Sequence, residues 1–173
     1  MSESGAIQTM QDAIIGKAAV VEALPSHPAI QALLAWNADA FTDAKVDRGE
    51  LTLTVAATGI RSAAAALKEA GYNFFEDMTA VDWYPASPRF QLSYHILSHG
   101  YKERIRLRVL LDETNPSLPS ITQVWPSANF FEREVFDLFG IHFEDHPNMR
   151  RILMPDDWTG HPLRKDYPVE GYR

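Results

Sequence analysis

The sequence contains no cysteine. A chain without cysteine forms no disulfide, binds no iron–sulfur cluster or zinc ribbon through thiolates, and offers no thiolate nucleophile. With 173 residues, of which 46% are hydrophobic, the chain is long enough to bury a core without such staples. The fold is therefore expected to depend on packing, hydrogen bonds and charge.

Positive charge is scarce relative to negative charge, and the formal net charge is −7. A strongly acidic chain is a poor candidate for a nucleic-acid binder, because neutralising phosphates needs a basic surface. No window approaches the roughly 18 apolar residues of a membrane span. The N-terminal stretch also lacks the basic region of a signal peptide. We therefore expect a soluble, cytoplasmic protein that reaches a membrane only through partner proteins.

The patterns that are present divide the chain into three parts. Residues 1–25 are weakly patterned, and KAAVVEAL within them fits a helix or a strand. Residues 26–143 are predicted to form an α+β core domain. Residues 144–173 are predicted to form an extended tail that binds a partner.

The core domain alternates predicted helices and strands. Ser26 is a candidate N-cap for a helix that runs to Trp36, Gly49 marks a hairpin turn, and Gly71 ends an alanine-rich helix. Three strand candidates follow, NFFEDMTAVDW, RFQLSYHILSH and ERIRLRVLL. Their alternation predicts a two-layer α+β fold, in which helices cover one face of an antiparallel or mixed sheet. A short helix and a long extended C-terminal tail follow this sheet.

Arg104, Arg106 and Arg108 alternate with apolar residues in the last of these strands. They face away from the predicted core, so they line a solvated sheet face or a docking face for an acidic partner. The solvated face is the simpler interpretation.

The short helix is predicted over residues 129–139 and ends at Gly140 in the left-handed conformation. Glu132 falls inside its apolar arc, where a capping box with Asn129 as N-cap explains a carboxylate. A role beyond the cap is the alternative. Glu134 lies past the first turn, so we expect it to need a cation from the tail or from another chain. Arg133 and Asp137 form a predicted i,i+4 pair on the outside, which needs no function.

The tail is broken by prolines and has neither a helical nor a strand period. Apolar and aromatic residues are nevertheless spaced through it, unlike a disordered segment. We therefore expect an extended segment lying on a surface, either of its own domain or of another subunit. The aromatic content favours another subunit for its last part. Its nearly balanced charge argues against a nucleic-acid arm.

A metal site is the obvious alternative use of the polar residues near the tail. The available ligands are His142, His146, His161, Asp145 and Glu134. Gly140 and Pro147 flank the two closest histidines, however, so the helical i,i+4 spacing of a zinc site is not expected.

The stretch from Val124 to Pro168 resembles the signature of the 30 kDa subunit of respiratory complex I, the counterpart of the C subunit in the bacterial proton-pumping NADH:quinone oxidoreductase. The resemblance extends over about residues 40–168 and rests on fixed charged, glycine and proline positions. The matching residues are Glu132–Glu134, Asp137, Phe139–Ile141, Phe143, His146–Pro147, Arg150–Leu153, Pro155, Asp157–Trp158, Gly160 and Pro162–Pro168.

The resemblance implies a non-catalytic subunit of the peripheral arm, on the cytoplasmic side of the inner membrane. Its implied partners are the quinone-cavity subunit and the iron–sulfur subunits. The chain itself would bind no cofactor, whereas the complex would use NADH, FMN, iron–sulfur clusters and quinone. Related complexes use ferredoxin, reduced deazaflavin or hydrogen as donor. NADH is expected here because it is the donor in the commonest case.

The resemblance also implies a polar network that fixes helix, tail and partner. Its signature and partner-interface residues would be Glu132, Arg133, Glu134, Asp137, His146, Arg150, Arg151, Asp157, Trp158, Arg164, Lys165, Asp166 and Tyr167.

Two other classes of function remain as alternatives. One is a metal-dependent hydrolase that uses Glu134, His142 and His146. The other is an RNA-binding α+β domain that uses the three sheet arginines, although such sheets normally expose aromatic residues for stacking.

Overall fold

A computed structural model describes residues 13–171. The beginning of the weakly patterned segment and the last two residues of the tail lie outside this range. The strands are β1 (Ile14–Ile15), β2 (Asp43–Asp47), β3 (Glu50–Thr54), β4 (Phe74–Asp82), β5 (Phe90–Ser98), β6 (Glu103–Leu111), β7 (Ser117–Pro119) and β8 (His142–Glu144). The helices are α1 (Lys17–Ala23), α2 (Pro28–Trp36), α3 (Ile60–Glu69) and α4 (Ala128–Phe139), with a 3-10 turn at Ala57–Gly59.

Six strands form one mixed sheet in the order β1-β2-β3-β6-β5-β4. Neighbouring strands pair antiparallel except β3 and β6, which pair parallel. The hairpin predicted around Gly49 joins β2 and β3, and the three predicted strands are β4, β5 and β6. The mixed α+β fold is therefore confirmed. Among residues 13–171, no helix is long and apolar enough to cross a bilayer.

The core lies where the apolar residues of the strands face the helices. Leu92 and Tyr94 of β5 and Leu107 of β6 are completely buried, as their alternation predicts. Leu33 of α2 and Leu67 of α3 belong to the same buried cluster. The sheet is thus covered by helices on this face.

The opposite face of the sheet carries the three arginines of β6, and each has an acidic partner within the sheet. Arg108 lies 3.1 Å from Asp43, and Arg104 lies 2.9 Å from Glu50. Arg106 also pairs with Glu50. Because each of the three arginines already has a carboxylate partner on the sheet, this arrangement favours the solvated face over an acidic docking partner or RNA.

The first two helices settle one open point of the sequence analysis and correct another. The undecided stretch KAAVVEAL is helical through Ala23. The N-cap of α2 is His27 rather than Ser26: Nδ1 of His27 accepts a hydrogen bond from the N–H of Ala29 at 3.3 Å. The imidazole therefore performs the capping that we assigned to a hydroxyl.

A second, small sheet brings the segment before α4 next to the segment after it. β7 and β8 pair parallel, and Arg61 of α3 holds both, donating to the carbonyls of Ser120 at 2.7 Å and Glu144 at 2.9 Å. Phe75 of β4 packs against Phe131 of α4, with the two ring centroids 5.6 Å apart. These contacts fix α4 on the domain and place the start of the tail beside it.

Candidate functional site

Asp137 of α4 is the centre of the contacts between the domain and the tail, residues 144–171 of the described chain. The predicted pair of Arg133 with Asp137 is wrong. Oδ1 of Asp137 instead lies 2.6 Å from Nη1 of Arg151. Oδ2 accepts three consecutive backbone N–H groups, from Ile152 at 3.0 Å and from Leu153 and Met154 at 2.8 Å each. The tail covers this carboxylate so completely that its side chain is fully buried.

The charge state of Asp137 follows from these contacts. Burial raises the pKa of its carboxyl, but the backbone donors at Met154, Leu153 and Ile152 and the Arg151 guanidinium outweigh burial. The net result is a pKa below the ordinary value, so the group is ionised at neutral pH. A buried anion with this many donors holds the tail through charge-assisted hydrogen bonds.

Two arginines extend the hold along the tail backbone. Nη2 of Arg151 donates to the carbonyls of Trp158 at 3.0 Å and Gly160 at 3.1 Å. Arg133 donates from Nε to the carbonyl of Arg150 at 3.1 Å and from Nη2 to that of Arg151 at 2.9 Å. Residues 150–160 therefore form a closed loop on the outer side of α4 although they contain no regular secondary structure.

The tail next satisfies the carbonyls at the C-terminal end of α4, which have no partner inside the helix. His161 Nδ1 lies 2.9 Å from the carbonyl oxygen of Asp137. The N–H of Leu163 donates to the carbonyl of Leu138 at 3.1 Å, and Nε of Arg164 donates to that of Phe139 at 2.6 Å.

Gly140 ends the helix in the left-handed conformation, with φ 71°, as predicted. A Cβ here would lie 2.5 Å from two ring atoms of His161 and 2.8 Å from Nη2 of Arg164. Both the backbone conformation and the close approach of the tail require glycine.

Arg89 forms a second attachment at the far end of β4. Its guanidinium donates to Asp82 from Nε at 3.0 Å and Nη2 at 2.8 Å, and to Asp166 of the tail from Nη1 at 3.1 Å and Nη2 at 2.6 Å. Glu113 adds a contact at 2.5 Å. Asp82 also accepts the N–H of Lys165 at 2.9 Å. One buried arginine therefore joins a buried carboxylate of the sheet to a carboxylate of the tail.

These contacts make both aspartates stronger acids. Burial raises the pKa of Asp82, but the hydrogen bonds from Arg89 and from the N–H groups of Lys165 and Tyr84 outweigh burial and lower it to about 2. The Arg89 guanidinium lowers the pKa of Asp166. The pKa of Arg89 is raised, first by Asp82 and then by Asp166. All three groups are charged at neutral pH.

Glu132 does not form the predicted capping box. The helix begins at Ala128, and its N-cap, Ser127, makes no side-chain hydrogen bond. The carboxylate of Glu132 is completely buried and accepts hydrogen bonds from Oγ of Ser120 at 2.6 Å and from the N–H of Ile121 at 2.7 Å. Burial raises the pKa of Glu132 to about 7, although these two donors and Arg61 oppose it.

The other predicted interface residues are either exposed or make only a few contacts. Glu134 is exposed on α4 and makes no ion pair with any residue that the structure describes. The side chains of Arg150, Asp157 and Lys165 are also exposed, and Trp158 is 38% exposed. The side chain of His146 is buried, with Nε2 3.3 Å from the carbonyl of Asn129 and Nδ1 accepting the N–H of Asn148. Tyr167 donates to the carbonyl of Thr159 at 3.3 Å.

The hydrolase residues do not come together. Glu134 and His142 are exposed on different elements, and the ring of His146 is used by two backbone groups. Within residues 13–171, no three histidine, aspartate or glutamate side chains gather as a metal site.

Asp82 and Arg89 are network residues that were not predicted from the sequence. The sequence contained one signal for Asp82. Met78 and Ala80 are apolar residues at alternate positions of β4, and Asp82 continues their alternation onto the buried face. An aspartate in the buried register of a strand needs a cation or several donors. Arg89 has no comparable signal, because its position depends on how the β4–β5 connection folds.

The fold and these contacts define a class of protein, a mixed α+β domain that fastens an irregular C-terminal segment over one helix. The model of the family described as respiratory-chain NADH dehydrogenase, 30 Kd subunit, matches residues 53–173. The chain belongs to this family, which confirms the resemblance seen in the signature stretch.

Known relatives and solved structures agree with this assignment. The chain is 48% identical over 135 residues to the C subunit of the NADH-quinone oxidoreductase of Citrifermentans bemidjiense, covering 78% of this chain and 84% of the relative. It is 45% identical over 150 residues to the corresponding NADH-quinone oxidoreductase subunit of Roseiflexus sp. strain RS-1, covering 85% of this chain and 86% of the relative.

Two solved structures share the fold. One is a trypsin-resistant fragment (1–134) of Nqo5, which is 38% identical with a TM-score of 0.53, covering 58% of this chain and 83% of the fragment. The other is a chain of the membrane-bound sulfane sulfur reductase, an archaeal respiratory membrane complex. It is 27% identical with a TM-score of 0.70, covering 81% of this chain and 84% of that chain.

Gly140→Ala should lower the free energy of unfolding by roughly 1–3 kcal/mol, because alanine is strained at this φ and its Cβ meets the tail. Urea denaturation measures the change. Gly100→Ala is the control, since its added Cβ would meet only Oγ of Ser98 at 3.8 Å. Equal midpoints for both variants would contradict the structural role of Gly140.

Asp166→Ala should expose the end of the tail, because it removes the contact between the tail and Arg89. We expect trypsin to cleave after Arg164 and Lys165 several-fold faster than in the unmodified chain, as followed by mass spectrometry. Asp157→Ala is the matched control, since Asp157 makes no hydrogen bond or ion pair within residues 13–171. Unchanged cleavage in Asp166→Ala would rule out this attachment.

Acid should release the tail. Asp82 and Asp137 have lowered pKa values in the folded chain, so their stabilisation is present above the ordinary aspartate value of 3.8 and is lost as pH falls. For Asp82 the loss extends to pH of about 2. The amide resonances of Ile152, Leu153 and Met154 should titrate together in this acid range. Independent titration, or none, would show that Asp137 does not hold them.

Proposed function

We propose that this chain is a non-catalytic structural subunit of the peripheral arm of a proton-translocating NADH:quinone oxidoreductase. In this role it lies on the cytoplasmic side of the membrane, beside the quinone-cavity subunit and the iron–sulfur subunits. The enzyme activity belongs to the complex, which uses FMN, iron–sulfur clusters and quinone. The family membership and the names of the relatives support this proposal.

The observation that carries the proposal is the difference between the backbone and the side chains of the tail. The domain binds the tail mainly through backbone groups and arginines, while apolar side chains on α4 and the tail remain in solvent. Exposed apolar patches of this kind mark protein–protein contacts. The exposed fractions are 62% for Phe130, 61% for Leu153, 49% for Leu163, 38% for Trp158 and 37% for Ile152.

These residues belong to one surface, which we call the α4–tail face. Ile152 and Leu153 donate their N–H groups to Asp137 on α4, and Leu163 donates its N–H to Leu138 one residue further along. Phe130 lies on the same helix, 7 residues before Asp137, or about two turns. These backbone contacts bring the apolar residues of the tail next to those of the helix.

Charged residues on the α4–tail face are suited to a polar rim. Glu134 and Arg150 are exposed, and neither side chain makes an ion pair within residues 13–171. Interfaces commonly combine an apolar centre with charged residues that set orientation. A neighbouring subunit that supplies a cation for Glu134 and an anion for Arg150 would fit this face.

The electron donor is the point on which related complexes differ. The alternative is a related complex with ferredoxin, reduced deazaflavin or hydrogen as donor. The likeness to a chain of the archaeal sulfane sulfur reductase supports a related respiratory membrane complex as this alternative. Purification of the native complex, with mass spectrometry of its subunits and assays of quinone reduction with each donor, distinguishes these cases. NADH-driven reduction supports the main proposal.

Glu134→Ala and Arg150→Ala should lower the amount of assembled complex several-fold while changing turnover per assembled complex little. Native electrophoresis of mildly solubilised membranes measures the first quantity, and quinone reduction per mole of complex measures the second. Glu69→Ala and Arg48→Ala are the matched controls, because both residues are exposed and lie on α3 and at the β2–β3 turn. Normal assembly with lost turnover would place these residues in chemistry and would overturn the structural role.

A further inference from the structure

Glu132 differs from the other two completely buried acidic side chains of the network. Asp82 and Asp137 each have an arginine nitrogen within 2.8 Å of a carboxylate oxygen. Glu132 has no such arginine among residues 13–171. The nearest basic nitrogen in an ion pair with it is Nε2 of His146 at 3.9 Å, and this nitrogen also lies 3.3 Å from the carbonyl of Asn129. A buried carboxylate without a close cation favours the protonated form.

The hydroxyl groups beside Glu132 can serve both of its protonation states. Oγ of Ser120 lies 2.6 Å from Oε2 of Glu132 and 2.7 Å from Oγ1 of Thr122. When Glu132 is ionised, Ser120 donates to it and accepts from Thr122. When Glu132 is protonated, it donates to Ser120, and Ser120 donates to Thr122. In both states Ser120 keeps one donated bond and still accepts the N–H of Thr122 at 3.1 Å.

This reversal is not open to Asp82 or Asp137. Their donors are arginine and backbone N–H groups, which cannot accept a proton-donating bond in return. A proton on either aspartate would therefore point at an N–H group that can only donate. A proton on Glu132 instead requires only that the hydroxyls of Ser120 and Thr122 rotate.

The other groups around Glu132 do not cancel its burial. Arg61 of α3 approaches, but its guanidinium is bound to the carbonyl of Ser120 and to Asp145 at 3.0 Å. The hydroxyl of Tyr94 on β5 is buried without a partner among the described residues, and burial followed by the charge of Glu132 raises its pKa. Burial lowers the pKa of His146, so this ring is neutral near Glu132.

We propose that Glu132 is a buried proton-binding site at the contact between α4 and the segment that follows β7, and that its occupancy makes the stability of the folded chain depend on pH. The site is distinct from the α4–tail face and does not depend on the proposed function. A carboxyl whose ordinary pKa is 4.5 and whose folded value is about 7 binds more protons in the folded chain than in the unfolded chain between these values. Its contribution to stability is therefore full below the lower value and is lost as pH rises through the higher one.

The test compares the full chain with Glu132→Gln, in which the amide mimics the protonated acid by donating to Ser120 and accepting from Ile121. The equilibrium constant for unfolding is measured by urea denaturation between pH 5 and pH 8. As pH rises from 5 towards the folded pKa of about 7, the unfolding constant of the unmodified chain should increase relative to that of the variant, by up to about tenfold per pH unit. Glu134→Gln is the control for the loss of one carboxylate from the same helix, since the side chain of Glu134 is exposed.

Infrared spectroscopy supplies a second readout. The unmodified chain should show the carbonyl stretch of a protonated carboxyl at pH 6 that is lost at pH 8. This band should be absent from Glu132→Gln and present in Glu134→Gln. The proposal would be overturned if the unfolding constants of Glu132→Gln and the unmodified chain depended on pH in the same way, or if both proteins showed the same infrared band.

If Glu132→Gln does not fold, Ser120→Ala decides. Removing this hydroxyl takes a hydrogen bond from both forms of Glu132. The bond to the ionised form is charge-assisted and therefore the stronger of the two, so the midpoint of the infrared band should move to higher pH. An unchanged midpoint would show that the titrating carboxyl is not Glu132.

Discussion

A carboxylate that leaves water must be supplied with donors or a cation, and this requirement governs how the chain is assembled. Asp82 ends a core strand and Asp137 lies on the outer side of α4, yet both are buried. Much of what satisfies them comes from the tail, in the form of Arg151 and a few backbone N–H groups. The tail therefore stabilises the domain as well as the reverse, since removing the tail would leave two anions without these donors.

The same constraint explains how a segment without regular secondary structure holds a defined shape. Hydrogen bonds that a helix or strand would make internally are made here to ionised side chains and to the end of α4. Ordering the segment in this way leaves its apolar side chains outside. A surface that is ordered before it meets a partner loses less conformational entropy on binding, which suits the structural role that we propose.

Most of the fold could be predicted from the sequence, because alternation in β5 and β6 and the glycines at residues 49 and 140 are local signals. The partners of charged residues could not. Periodicity placed Asp137 on the outer side of α4, which is correct, but it could not show that a loop 14 residues later covers that side. For Glu132 the sequence offers a local explanation, a capping box with Asn129, and no local pattern points to the partner that the structure shows, Ser120, 12 residues earlier.

The candidate site shows the same limit. Signature positions such as Arg151 and Asp166 were identified by resemblance, and the structure adds what they touch. Arg89 was missed because no short-range pattern marks an arginine that folds inward from a loop. Long-range ion pairs depend on tertiary packing, so they escape any analysis of neighbouring residues.

The way Asp137 holds the tail also limits which residues the tail can carry. One oxygen takes the main-chain N–H groups of residues 152, 153 and 154 and makes no demand on their side chains. Every amino acid except proline supplies that group. These positions can thus vary in shape and size to suit a neighbour while the backbone path stays the same. The chain places Pro155 at the first position where the carboxylate no longer needs a donor.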